Sequence, residues 1–234
     1  VRLSPDANYG YGYPFYNFYA PLSIYITFLF RLLGFGFVRA IHLSHLLGYL
    51  VAGWGMFALA RRWFGSRWAG LLAAAAYTVA PFHLVNVYVR GDSLAEFWAM
   101  AFYPLVILAA DGLFGGGQRQ VALFALAYAA LILSHNISAL IFSPFLLLYL
   151  LLRFLFLPRR ARRAQRNNPN LQYPISNLLF ALILALALAA WFFVPALAEQ
   201  NLAQLGTVTS GYFHYSNHFL GTAEFPLTQS TFFV

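Results

Sequence analysis

Long apolar runs separated by short polar breaks set the pattern of this chain. Runs at 38–60, 68–89, 93–114, 138–157 and 175–197 each come to about 20 residues, the helical length that crosses the hydrocarbon core of a bilayer. A sixth run, 119–134, is shorter and stops at Ser134-His135-Asn136. It spans if its helix continues a few residues or if that polar break sits at the interface. The expected fold is all-α, a polytopic transmembrane helical bundle of about six spans. Residues 20–33 are apolar too, but Arg31, Gly34 and Gly36 interrupt them too early for a span. An N-terminal helix lying in the membrane interface is expected there.

Arginine placement orients the bundle, because cytoplasmic loops collect basic residues. The connection after 38–60 carries Arg61, Arg62 and Arg67, and the one after 138–157 carries Arg153, Arg159, Arg160, Arg162, Arg163 and Arg166. With alternating spans Arg119 joins them inside, leaving Arg2, Arg31, Arg39 and Arg90 outside. Acids sort the other way, with Asp6, Asp92, Glu96, Glu199 and Glu224 outside and Asp111 inside. If 20–33 spanned, every later helix would flip and the arginine-rich loops would face outward. The expected organisation is one transmembrane domain. Residues 1–37 form an extracytoplasmic aromatic loop and interfacial helix, 38–197 the bundle, and 198–234 an extracytoplasmic segment.

Composition agrees. Hydrophobic residues make up 62% of the 234 and charged residues 9%, against roughly a quarter charged in a soluble domain. The chain has no cysteine, which removes disulfide and thiolate chemistry. The net charge of +8 is carried by arginine alone. The basic run at 158–168 suits a cytoplasmic loop against anionic lipid better than it suits nucleic acid. Membrane lipid is the expected partner and nucleic acid is not. Val1 stands where a methionine would, with no signal-peptide pattern after it, so both ends are expected to be cuts in a longer protein.

Polar residues on the outer face are the candidates for chemistry. From Tyr9 to Tyr19 seven of eleven residues are aromatic, with glycines interleaved and Pro14 opposing helix. Such a loop offers flat faces and phenol hydroxyls to a sugar ring, or forms an aromatic belt at headgroup level. Arg90-Gly91-Asp92-Ser93, with Glu96, lies where one helix emerges and the next returns. Ionisable groups at membrane depth are costly and are found paired or lining a wet cavity. One reading is a helix cap, by Ser93 or Asp92, with an Arg–carboxylate pair. The other is an arginine holding a lipid phosphate, with carboxylates that orient it or hold a divalent cation. No other cofactor is suggested. His135 and Asn136 share that outer face, as a packing pair or as cavity lining. His42 and His45 lie three apart on one helix, but no nearby carboxylate completes a metal set, so packing is preferred. Asp6 follows Pro5 and is either a turn former or a general base.

The order of these features resembles the GT-C superfamily of membrane glycosyltransferases. Pro21-Leu22 through Phe30-Arg31-Leu32-Leu33-Gly34 leads to Leu59-Ala60-Arg61-Arg62-Trp63-Phe64-Gly65, then Ala73 to Ala76 and Arg90-Gly91-Asp92. The tract NYGYGYPFYNFYAPL, with RGDSLAEF and LSHNISALI, more closely resembles membrane proteins labelled "6-pyruvoyl-tetrahydropterin synthase-related". The pterin synthase itself is a soluble enzyme with a three-histidine zinc site, and nothing here supplies that fold. A GT-C likeness implies transfer of a sugar from a polyprenyl-phosphate carrier to an acceptor outside the cytoplasm, in a bacterial or archaeal plasma membrane. It implies Arg90 on the carrier phosphate, with Asp92, Glu96, His135 and Asn136 lining the cavity. Tyr11, Tyr13 and Tyr16 would cover the sugar. The family's usual catalytic acid follows its first span and is expected upstream of Val1, leaving Asp6 as the nearest carboxylate here, with Asp92 and His135 as further catalytic candidates. The competing reading is a non-catalytic protein of the same architecture, a lipid or polysaccharide transporter or an assembly subunit.

Overall fold

The computed structural model describes residues 6, 8–12, 15–90, 93–114, 117–156 and 174–202. They are helical, with no strand among them. The chain divides into two compact units, Val1–Phe193 and Val194–Val234.

In the first unit α1 (Leu22–Leu32) is followed by the long α2 (Phe37–Phe64). Helix α2 stops at Gly65, whose φ of 65° is the left-handed turn that glycine takes without strain. Ser66 then caps α3 (Arg67–Thr78), its hydroxyl accepting from the Ala69 amide. A one-turn α4 (Pro81–Leu84) runs into a π-helical turn at Val85–Val89. After it come α5 (Leu94–Leu113), α6 (Gln118–Ser134), α7 (Asn136–Leu155) and α8 (Pro174–Ala198).

Four of these helices, α2, α5, α7 and α8, are long and apolar enough to cross a membrane. Taken as one span, α3 with the helix from Pro81 to Val89 makes five, although the pair is bent by 43°. The expected uninterrupted span at 68–89 is thus broken. Pro81 disfavours the helical conformation at the residue before it, and Ala80 has ψ 138°. Helix α6, at 17 residues, remains among the shorter apolar helices, as does α1 at 11. The described helices therefore supply four or five candidate spans where the apolar pattern suggested six.

Helices α2 and α5 run parallel and in register. Ser44 accepts a hydrogen bond from the Trp98 indole at 3.0 Å, Gly48 lies against Phe97, Gly55 against Leu105, and Arg62 against Asp111. Small residues at Ala40, Ser44, Gly48 and Ala52 fall every fourth position and are all buried. Lipid supplies no hydrophobic drive between helices, so close approach of small residues is what holds them. A stripe of Ala181, Ala185 and Ala189 does the same on α8, packing into the core formed by α5, α6 and α7.

Asp111 joins three helix ends. It is 1% exposed and forms ion pairs with Arg62 from α2 and with Arg153 from α7, the latter at 2.6 Å. Tyr149 donates to it at 3.0 Å, and the Arg62 guanidinium also reaches the Asp111 carbonyl at 3.1 Å. The C-terminal ends of α2, α5 and α7 therefore meet. Further along, Tyr103 of α5 stacks on Phe142 of α7 at 4.5 Å, so this pair is parallel as well.

In the second unit the described residues are the last turn of α8, from Val194, and a 3-10 turn at Gln200–Leu202. The Glu199 amide donates to the Pro195 carbonyl at 2.9 Å.

Two substitutions test this packing. A Cβ at Gly48 would overlap the Phe97 ring, so Gly48→Ala should cost about 1–3 kcal/mol in denaturant titrations in mixed micelles. Asp111→Asn removes the charge that both arginines share and should cost about 1.5–3 kcal/mol in the same titration, the usual worth of a hydrogen bond to a charged group.

Candidate functional site

The opposite end of the bundle gathers a second polar group. The π turn closes with the Arg90 amide donating to the Val85 carbonyl at 2.8 Å, a bond five residues long. Arg90 leaves that turn with its side chain 51% exposed. Its Nη1 meets Glu96 of the first turn of α5 at 2.6 Å and Asn86 at 3.3 Å. Glu96 is the more buried partner.

His135 sits between α6 and α7, with extended backbone, and caps α7. Its Nδ1 accepts from the Ser138 amide at 3.2 Å and lies 2.7 Å from the Ser138 hydroxyl. An amide can only donate, so Nδ1 carries the lone pair and the neutral ring has its proton on Nε2. Burial holds the imidazole below its ordinary range, while the charge of Glu96 pulls it upward and that of Arg90 pushes it down. Tyr103 of α5 lies near the Ser138 hydroxyl.

Of the residues singled out in the sequence, the fold pairs Arg90 with Glu96 and places His135 at the start of α7, the helix that packs parallel to α5. Asn136 follows His135 in the chain but is exposed, its side chain accepting from the Ile137 amide at 3.0 Å. Asp6, Tyr9 and Tyr11 are exposed, and Tyr16 is half-buried. No hydrogen bond or ion pair among the described residues joins Asp6, Tyr11 or Tyr16 to Arg90, Glu96 or His135. Asp92 and Tyr13 lie outside the described residues. Ser93, considered as a cap, precedes α5 without a side-chain capping bond. Among the described residues no group of three or more His, Asp or Glu could hold a metal ion.

Sequence reasoning passed over a cavity of about 460 Å³ lined by Ile41, His42, His45, Leu46, Tyr49, Val87 and Tyr88. The last two come from the π turn that positions Arg90. His45 packs edge-on against Phe97 at 5.0 Å and its Nδ1 donates to the Ile41 carbonyl at 3.0 Å. Its Nε2 and the Tyr49 hydroxyl have no hydrogen-bond partner among the described residues. His83, fully buried, lies 4.8 Å from the Tyr77 ring and 6.2 Å from that of Tyr49. The available signal was the spacing of His42, His45 and Tyr49 along one helix, together with Pro81 breaking the next.

Residues 16–219 match a family described as the 6-pyruvoyl-tetrahydropterin synthase related domain, membrane protein. The chain belongs to that family. It is a membrane protein, in agreement with its apolar helices. It is also similar to an uncharacterized protein of Lactococcus lactis subsp. cremoris (strain MG1363), 28% identical over 229 residues. That match takes in 92% of this chain and 33% of the relative, so the chain spans about a third of the relative's length. No solved structure matches.

The lowered His135 basicity has a thermodynamic consequence. The fold favours the neutral ring, so its contribution is complete above the unfolded value of about 6.5 and is lost as pH falls below it. Thermal unfolding in detergent should show a shallower decline between about pH 7 and pH 5 for His135→Asn than for the parent. An unchanged slope would mean that His135 titrates alike in the folded and unfolded chain.

Proposed function

We propose that this chain forms part of a GT-C-like integral membrane glycosyltransferase, moving a sugar from a polyprenyl-phosphate carrier to an extracytoplasmic acceptor. The observation that carries the reading is the half-exposed Arg90–Glu96 ion pair at the end of the bundle opposite the Asp111 tie, with His135 capping the neighbouring α7. Arg90 is half-exposed, and its bonds to Glu96 and Asn86 both use Nη1. Its Nη2 and Nε have no acceptor among the described residues and are proposed to take a phosphate, which a guanidinium grips with two parallel bonds. In this role Arg90 offsets the charge that develops on the carrier phosphate as the anomeric carbon–oxygen bond breaks. Glu96 keeps the guanidinium in place, and His135, neutral, offers Nε2–H to a sugar or acceptor oxygen. The cavity beside Tyr88 is proposed to take the sugar. Asp92 and Asp6 are the carboxylates proposed for proton removal, with a base upstream of Val1 as the alternative. Tyr11, Tyr13 and Tyr16 are proposed to cover the sugar, and Asn136 to line the approach.

A second reading is favoured by one observation. Bent, broken spans are a mark of transporters, and the span over Arg67–Val89 is bent at Val79–Ala80. A lipid or polysaccharide transporter, or an assembly subunit, would use the same arginine to hold a phosphate without breaking a bond. Transporters break corresponding helices in two repeats, and among the described residues there is one such pair.

Incubation of the full-length protein with radiolabelled polyprenyl-phosphate sugars separates the two. The enzyme reading expects transfer to an acceptor, with Arg90→Ala and Asp92→Asn each reducing turnover by about a hundredfold, the scale seen when one charge-stabilising donor is removed. Movement of intact labelled lipid across vesicles without transfer would favour the transporter. Turnover unchanged in both variants would remove Arg90 and Asp92 from the mechanism.

A further inference from the structure

We infer that the arginine end of the bundle holds an anionic phospholipid, its phosphate in the cleft between Arg62 and Arg153 and an acyl chain in the leucine groove beside it. This site is separate from the Arg90 group and does not depend on the activity proposed for it.

The cleft has a volume of about 400 Å³ and is lined by Arg62, Trp63, Asp111, Tyr149 and Arg153. Its charges do not cancel, because two guanidinium groups share one carboxylate. The Asp111 bonds use Nε of Arg153, and Nε and Nη2 of Arg62. Both terminal nitrogens of Arg153 and Nη1 of Arg62 have no acceptor among the described residues. These side chains are 36% and 43% exposed, so the spare donors are open to a ligand. Asp111 holds both arginines by Nε, which fixes the orientation of each fork before any ligand arrives. An oxyanion with several acceptor oxygens is the complement of such a pair, and a phosphate, with its oxygens arranged tetrahedrally, can reach two separately held forks at once.

The second half of the argument is apolar. A groove of about 220 Å³ is lined by Leu113, Phe114, Leu147, Leu150, Leu151 and Phe154, among others. The guanidinium carbon of Arg153 lies 5.9 Å from the centre of the Phe114 ring, so cleft and groove are joined through that contact. Trp63 and Tyr149, 5.9 Å apart at the cleft, are the amphipathic rings found at headgroup depth. A charged cleft opening onto an apolar groove matches a phosphate that carries a hydrocarbon chain. A free phosphate would leave the groove unfilled, and a neutral lipid would leave the spare donors unpaired. Arg61, Arg67 and Arg119, at adjoining helix ends, raise the local attraction for an anionic headgroup.

The test is lipid binding to the purified full-length protein in detergent, read by native mass spectrometry with phosphatidylglycerol, phosphatidylcholine and inorganic phosphate as probes. Phosphatidylglycerol should be held about tenfold more tightly than phosphatidylcholine, the factor that corresponds to about 1.4 kcal/mol. Millimolar inorganic phosphate should not displace it. Leu151→Trp fills the groove without touching the ion pairs and should lower phosphatidylglycerol affinity by about tenfold, with the unfolding midpoint unchanged. Arg153→Lys keeps a charge beside Asp111 but loses the fork, and should abolish the preference for phosphatidylglycerol. Equal retention of the two lipids would overturn the proposal. So would displacement by inorganic phosphate, which would mark an anion site with no lipid chain, or full binding in both variants.

Discussion

A carboxylate in the interior of an apolar bundle must find a partner, and in this chain that requirement falls on Asp111. An unpaired charge at that depth would cost several kcal/mol, so the fold is restricted to arrangements that bring arginine to it. Arg62 and Arg153 come from helices before and after α5 in the chain, and meeting both at once sets the lengthwise position of α2 and α7 against α5. The contacts that follow are consequences of that register. Ser44 comes level with Trp98, Gly48 with Phe97, and Gly55 with Leu105. A one-turn slip of α2 would part the ion pair and drive side chains into the small-residue stripe together.

The same register determines what happens at the far end. Because α5 and α7 are parallel and level, Glu96 in the first turn of one and His135 at the cap of the other arrive at similar depth. Arg90, carried there by the π turn, pairs with Glu96. The two polar centres are thus coupled through rigid helices, one closed around a buried acid and the other left half-open. The acid itself is closed to a ligand, while the arginines at both ends keep exposed surface. Asp111 has both oxygens occupied, while Arg90 shows half its surface.

Much of this was legible in the sequence, for reasons that differ from residue to residue. The apolar runs announced a membrane bundle. The spacing of Arg90 and Glu96 made their pairing readable, since six residues across a turn bring such side chains within reach. His135 is a different matter. Forty-five residues separate it from Arg90, and only the alternation of helices places the two at one end. Asp111 was visible as a lone acid among arginines, but its partners lie 49 and 42 residues away, a relation that local pattern does not encode. Pro81 was visible too, yet hydropathy averages over it, and the apolar run at 68–89 read as a single straight span. The polar cavity at His45 and Tyr49 was hidden because each residue alone looks like packing.

The π turn before Arg90 also bears on how this site could change over generations. A residue added to or removed from an α-helix rotates everything beyond it by about 100°. The turn at Val85–Val89 holds one more residue than an α-helical turn would need, so the aim of the Arg90 side chain depends on a count of residues as well as on their identity. Losing one position there would restore a plain helix and swing the guanidinium to another side of the bundle, with every contacting amino acid retained. Insertion and deletion, more than substitution, are the changes to which this part of the molecule is most exposed.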